Sequence, residues 1–136
     1  RDPLWSRGLG DVYKRQHLWR ATMEHKMRLY DKPFQLMLAG TKTVEIRLND
    51  EKRQAVHNGD TIQFTNLENA DQSFKVEVLE RVQFDSFQEL LKYYDNEEIG
   101  VPEDYQLSQK LAEIYQIYSQ AEELEYGAVS FRVKRI

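Results

Sequence analysis

Apolar and polar positions alternate in five places along the chain, and each alternation predicts a strand. In "MEHKMRLY", His25, Met27 and Leu29 fall on one face and Glu24, Lys26 and Arg28 on the other. In "TKTVEIRLND", Val44, Ile46 and Leu48 alternate with Thr43, Glu45, Arg47 and Asn49. "TIQFTN" turns Ile62 and Phe64 inward, and "FKVEVLERVQF" does the same with Phe74, Val76 and Val78. The closing run "YGAVSFRVKRI" sets Val129, Phe131 and Val133 inward against Ser130, Arg132 and Lys134 outward. His25, placed among core residues, reads as a satisfied interior histidine, and His57 as a solvated one.

Between these runs the period changes to that of a helix. "DKPFQLMLAG" carries Pro33 in its first turn, Phe34, Met37 and Leu38 at i, i+3 and i+4, and Gly40 as terminator. "DSFQELLKYY" opens with Ser86 and Glu89 in capping-box spacing and places Phe87, Leu90, Leu91 and Tyr94 on one stripe. "LSQKLAEIYQIYS" builds a second amphipathic helix through Leu107, Leu111, Ile114, Tyr115 and Tyr118, and Ser119 with Glu122 marks a further cap. "NDEKRQAVH" and "DNEEIGVPEDYQ" read as loops, and in "NGD" Asn58 and Gly59 supply the positive φ of a tight turn. Terminal strands with helices inserted between them give an α+β fold, in an order that suits a small barrel closing its first strand onto its last.

Residues 1–22 do not share this patterning. They hold both tryptophans, two glycines and a proline without sustained periodicity, and "DPLWSRGLGDVYKRQ" resembles the translated adapter read-through found at ends of environmental gene fragments. The expectation is a foreign extension over 1–22 and one domain over 23–136. Without that extension, 14 basic and 21 acidic residues give a formal charge of −7. A domain this acidic does not bind a nucleic-acid backbone through its overall field. The acids crowd into the stretch from Asn66 to Glu125, whereas bases gather from Lys42 to Arg53 and from Arg132 to Arg135. An anionic partner has those two patches to use.

The chain has no cysteine, which excludes disulfides, thiolate nucleophiles and thiolate-ligated metals. No apolar run approaches the roughly 18 residues of a membrane span. The sequence contains no H-E-x-x-H, no Gly-rich phosphate loop and no nucleophile elbow, so no metal and no cofactor are expected, and the reading is a cytoplasmic domain without a membrane partner.

The chemistry sits on the second strand. Glu45 and Arg47 are two residues apart on one face, about 6–7 Å between Cα atoms, and can pair side by side. On an open surface such a pair contributes only about 0–1 kcal/mol. In a cleft the same fork can hold the edge of a base or a phosphate. Lys42 breaks the strand parity, so the turn after Gly40 has to bend it into the same space. As a base or nucleophile Lys42 needs its pKa brought down, and Glu45 beside it pushes the other way. Lys52 and Arg53, in the following loop, are candidates for backbone contact with RNA. Tyr94, Tyr115 and Tyr118 stand at helical spacing and read as core; Tyr126, beside Gly127, is the candidate for base stacking.

Gly40, Lys42, Glu45 and Arg47 spell G-x-K-x-x-E-x-R, which resembles the signature of the ASCH domain family, a small PUA-like β-barrel with flanking and inserted helices. The "GD" turn leading into a strand and "YSQAEELEYGAVSF" are similar to further elements of that family, so the resemblance covers Met23 to Ile136. It implies binding of RNA or a nucleoside-like small molecule in a cleft bordered by the signature. One branch resembles amidohydrolases that remove acetyl from acetylcytidine with a Lys, a Thr and a Glu. Lys42 fits that Lys, but Glu45 stands where the branch has Thr, and Thr43 lies two residues away. Three readings stay open: a binder of RNA or a modified nucleoside using Lys42, Thr43, Glu45, Arg47, Lys52, Arg53 and Tyr126; a hydrolase of acylated nucleosides or of RNA, with Lys42 and Glu45 catalytic; and a protein-interaction domain.

Overall fold

The structure is a computed structural model and describes residues 21–136. The extension expected over 1–22 therefore lies outside the described residues but for its last two. The elements run β1 (Glu24–Leu29), α1 (Asp31–Leu38), β2 (Val44–Leu48), α2 (Glu51–Gln54), β3 (Thr61–Asn66), β4 (Asn69–Phe84), α3 (Phe87–Tyr93), α4 (Asn96–Ile99), α5 (Leu107–Ile117), α6 (Gln120–Tyr126) and β5 (Ala128–Arg135).

The five strands form one mixed sheet in the order β1-β3-β4-β5-β2, curled into a half-barrel. β1 runs parallel to β3, with Met27 opposite Phe64, and the other pairs are antiparallel. β4 is long enough to serve two neighbours. Its first half pairs with β3, its second half with β5, and a register shift between Val78 and Glu80 bends it from one to the other.

The sheet does not close first strand to last. Both edges of β5 are occupied, by β4 and β2, so β1 and β2 become the free edges and face each other across a seam. Arg47 crosses that seam, donating from Nη2 to the Arg28 carbonyl at 2.7 Å.

Two cores lie on opposite faces of the sheet. The concave one gathers Met27, Phe34, Met37, Ile62, Phe64, Val76 and Phe131. The other packs Val44, Leu48 and Ala128 against Phe87, Leu90, Leu91, Tyr94 and Ile99 of the helical layer. β2 and β5 are thus covered on both sides, which overturns the expectation of an outward Ser130: it is fully buried and shares a 2.7 Å hydrogen bond with the Tyr94 hydroxyl. The stretch expected as one loop after β2 contains α2, capped by Asp50, whose carboxylate accepts from Arg53 N. The loop expected after Tyr94 contains α4, bounded by an Asp95–Glu98 capping box and by Gly100 in the left-handed region. In the "NGD" turn only Gly59 takes a positive φ.

The Asp60 carboxylate is buried and accepts from Met23 N at 3.1 Å and His57 N at 3.0 Å, and it pairs with His25 Nε2 at 2.8 Å. His25 is thus satisfied at the base of β1, and His57 is exposed. No helix among the described residues is long and apolar enough to cross a membrane.

Candidate functional site

α1 ends on Gly40 at φ +86°, and the N–H groups of Gly40, Thr41 and Lys42 return to the carbonyls of Met37 and Leu36. This turn delivers Lys42 to the edge of the sheet just before β2 begins. Glu45 lies opposite Phe131 and Arg47 opposite Val129, so both face the concave side of the sheet, at its open seam.

The three ionic groups converge. Glu45 is 4% exposed and Lys42 is 5% exposed. Lys42 Nζ stands 3.3 Å from Glu45 Oε1, and Arg47 Nε donates to Oε2 at 2.6 Å. Lys42 Nζ also donates to the carbonyls of Val44 at 3.0 Å and Ile99 at 2.8 Å, so three acceptors take its three N–H groups. Burial works to raise the Glu45 carboxyl, but the charges of Lys42 and Arg47 and the hydrogen bonds from both outweigh it and hold the group below the usual carboxylate range. Burial likewise works against the Arg47 cation, and the Glu45 carboxylate more than offsets it. The result is a cation–anion–cation chain, buried at Lys42 and Glu45 and half-buried at Arg47.

Beside this chain opens a hollow of about 260 Å³ between β2 and α5. Lys42, Glu45 and Arg47 line it together with Arg28 and Tyr30 from the β1 side, and α5 supplies Lys110, Ile114, Ile117 and, just past its end, Tyr118. A second hollow, of about 540 Å³, shares Arg28 and Arg47 with the first and adds Lys26, Lys52 and Arg53. Arg53 is anchored by Asp50 at 3.1 Å, yet its buried Nε has no hydrogen-bond partner.

Other expected site residues lie elsewhere. Thr43 lines a different hollow, with Met37, Leu38 and the Arg132–Arg135 segment, which shares no residue with the Lys52–Arg53 hollow. Lys42 lines that hollow too, so the two basic patches meet at Lys42, whereas Lys52 and Arg53 stand apart from Arg132–Arg135. Arg132 is paired with Glu98 at 2.9 Å and lies over the Tyr94 ring, and Arg135 bonds the Leu38 carbonyl and covers Phe74. Tyr126 lines none of these hollows; the charges of Glu125 and then Glu51 push its phenol up. The aromatic side chains on the Glu45–Arg47 hollow are Tyr30, largely exposed, and Tyr118, stacked on Phe87 at 5.5 Å between centroids. Among the described residues no cluster of three or more His, Cys, Asp or Glu is arranged to hold a metal.

Residues 27–134 match the profile of the ASCH domain. The chain belongs to the ASCH domain family. Among solved structures, this ASCH domain is similar to a protein described as hypothetical protein PH0355, at 30% identity and a TM-score of 0.72, over 84% of this chain and 100% of that one. It is also similar to protein PF0455 of Pyrococcus furiosus, at 27% identity and TM-score 0.67, over 84% and 98% of the two chains. An S128A mutant of ZmASCH from Zymomonas mobilis shares the fold at TM-score 0.52, with 15% identity over 82% of this chain and 67% of that one. No curated protein matches the chain.

In this ASCH domain Lys42, Glu45 and Arg47 of the signature form one charged wall of the hollow, while the rest of its lining comes from elements that local pattern did not connect to it. Arg28 and Tyr30 reach it because β1 ends as the edge facing β2. Lys110 was visible in the sequence as a charge interrupting the apolar stripe from Leu107 to Ile114.

Proposed function

We propose that this ASCH domain binds single-stranded RNA or a nucleoside-like ligand, seating a base in the hollow beside Glu45 and Arg47 and phosphates over Lys52 and Arg53. The observation that carries this reading is the continuity of two unlike hollows across Arg28 and Arg47. One is mostly apolar, has tyrosine rings in its wall, and holds a fixed ionic chain; the other is lined by cations. A base is a flat apolar face with a hydrogen-bonding edge, and its backbone is anionic, so an unpaired nucleotide needs that combination. The domain's formal charge of −7 restricts the contact to a short segment, since phosphates beyond the patch meet repulsion.

The same geometry favours binding over hydrolysis. A lysine acting on an amide has to turn its nitrogen toward the substrate, and Lys42 Nζ is turned instead to the carbonyls of Val44 and Ile99 and to the Glu45 carboxylate. Glu45 has each oxygen engaged by a cation. A flat surface around Lys42 would have suited a protein-interaction domain; the strand face instead opens on a hollow.

The test is titration of labelled eight-nucleotide single-stranded RNAs and a panel of nucleosides, acetylcytidine included, at several salt concentrations. Replacing both Lys52 and Arg53 by alanine should weaken RNA binding evenly across sequences and reduce the magnitude of the log–log salt slope by about 1.4, at roughly 0.7 for each lost phosphate contact. Tyr30→Ala should weaken nucleoside and RNA alike. Absence of binding to every RNA and nucleoside, or affinities unmoved by these variants, overturns the proposal.

A further inference from the structure

Lys110 is 9% exposed and has no carboxylate within ion-pair distance among the described residues. Its ammonium donates to the neutral Asn96 Oδ1 at 2.7 Å. Asn96 is fixed in turn: its amide nitrogen donates to the carbonyls of Pro102, Glu103 and Tyr105. The carboxylate nearest in sequence on the same helix, Glu113, accepts instead from the Tyr105 hydroxyl at 2.9 Å. A lysine ammonium has three donors, and Asn96 takes one. A buried cation is otherwise paired, because the protein interior replaces its hydration poorly.

The place of this cation gives it meaning. Lys110, Ile114 and Ile117 follow one another at i, i+4 and i+7 on α5, and all three line the hollow that holds the Lys42–Glu45–Arg47 chain. Four cations, Arg28, Lys42, Arg47 and Lys110, stand there against two carboxylates, Glu45 and Glu113. Glu45 is consumed by Lys42 and Arg47, and Glu113 is held by Tyr105. The positive excess falls on Lys110, on the α5 wall, and on Arg28.

We infer that Lys110 is an anion-binding residue of this hollow, so that the ligand it completes is a nucleotide carrying a phosphate and not a neutral nucleoside. The inference rests on the reading of the hollow as a base-binding site and adds the chemical class of its ligand. The two donors left by Asn96 suit phosphoryl oxygens, and the partly desolvated setting strengthens a charge-assisted hydrogen bond.

Calorimetric titration of the four ribonucleosides, their 5′- and 3′-monophosphates and inorganic phosphate, at one ionic strength, tests it. At least one monophosphate should bind ten- to a hundredfold more tightly than its nucleoside, roughly the range of a hydrogen bond to a charged group. Lys110→Gln keeps a donor for Asn96 and removes the charge; it should erase that margin, so that the variant binds a monophosphate no more tightly than the matching nucleoside. Lys110→Arg should retain part of the margin. Equal binding of nucleoside and monophosphate by the unaltered protein, or a margin that survives Lys110→Gln, overturns the inference and leaves the base-binding reading standing. Failure of every nucleoside and nucleotide to bind overturns both. Inorganic phosphate bound as tightly as any nucleotide also overturns it, by assigning the cation to a free anion. Should Lys110→Gln lower thermal stability too far for titration, the comparison within the unaltered protein and Lys110→Arg decides.

Discussion

Gly100 leaves open the space that the Lys42 side chain fills: a Cβ on Gly100 would stand 2.7 Å from Lys42 Cδ and 3.1 Å from its Cγ. Gly100 also takes φ +79°, where an L side chain costs about 1–2 kcal/mol in backbone strain. Gly59 separates the two effects, because it has φ +91° and nothing within 4 Å of its would-be Cβ. Gly100→Ala is therefore expected to lower the melting temperature more than Gly59→Ala does. It should also displace Lys42 from the Ile99 carbonyl and weaken whatever ligand the hollow binds. Equal thermal losses in the two variants, measured by circular dichroism, would show that the packing of Gly100 on Lys42 has no energetic consequence.

The Glu45 carboxylate is expected to govern the acid limb of stability. Replacing it with glutamine leaves the buried Lys42 and the half-buried Arg47 without their anion, and losses of about 3–5 kcal/mol are usual when one partner of a buried pair is removed. The folded-state pKa of Glu45 lies below its ordinary value of 4.5. Its contribution is therefore present above that value and is lost as pH falls through the lower folded-state pKa. Urea unfolding at pH 7, 5 and 3 should show Glu45→Gln far less stable than the unaltered protein at pH 7, with the gap narrowing at pH 3. A gap that stays constant with pH would mean that Glu45 is not held ionised by its two cations.

Alternation placed Glu45 and Arg47 on one face, and the turn after Gly40 pointed to Lys42 beside them; all three line one hollow. Period and caps also located the longer helices, because an apolar stripe and its end signals are local properties. What the pattern could not convey was which elements lie over one another. β2 reads as half-buried, yet α3 and α4 cover the face that carries Val44 and Leu48, while Glu45 is buried on the other. Tyr118 was assigned to the core from its spacing and does pack on Phe87, but it also lines the hollow; Tyr126, favoured for standing outside a stripe, does not. The parallel β1–β3 pair, which brings Arg28 and Tyr30 to the site, depends on partners 37 residues apart in sequence and leaves no mark within either strand. The four-residue helices α2 and α4 were missed for a different reason. Their caps were present in the sequence, at Asp50 and at Asp95, Glu98 and Gly100, but they are too short to show a period.

Asp60 should prove necessary to the start of the parallel pair. Its buried carboxylate gathers Met23 N, His57 N and His25 Nε2 where β1 and β3 begin side by side. Asp60→Ala strands those donors, at about 1–3 kcal/mol for a buried group left unsatisfied. Hydrogen exchange should accelerate first in β1 and at the beginning of β3, ahead of the β4–β5 pairing. Loss of protection spread evenly over all five strands would contradict a local role.

Glu123 joins three parts of the helical layer, and its removal is expected to be felt at the hollow. Oε2 accepts from Phe87 N at 2.6 Å, at the first residue of α3, and Oε1 accepts from the Tyr115 hydroxyl at 2.7 Å on α5. An anion at a helix start satisfies an orphan N–H and complements the helix dipole. α3 carries Leu91 and α5 carries Ile114, both lining the hollow, so this one carboxylate ties together two of its walls. The hydrogen bond to Glu123, then burial, push the Tyr115 phenol above its ordinary value of 10.0. A raised folded-state pKa means stability that is fully present below pH 10 and lost as pH rises through the folded value. Glu123→Gln is thus expected to cost about 1–3 kcal/mol at pH 7, with the difference from the unaltered protein shrinking above pH 10. Spectrophotometric titration at 295 nm should find one tyrosine ionising at lower pH in the variant. An unchanged tyrosine titration, together with unchanged stability at pH 7, would show that the carboxylate does not couple the two helices.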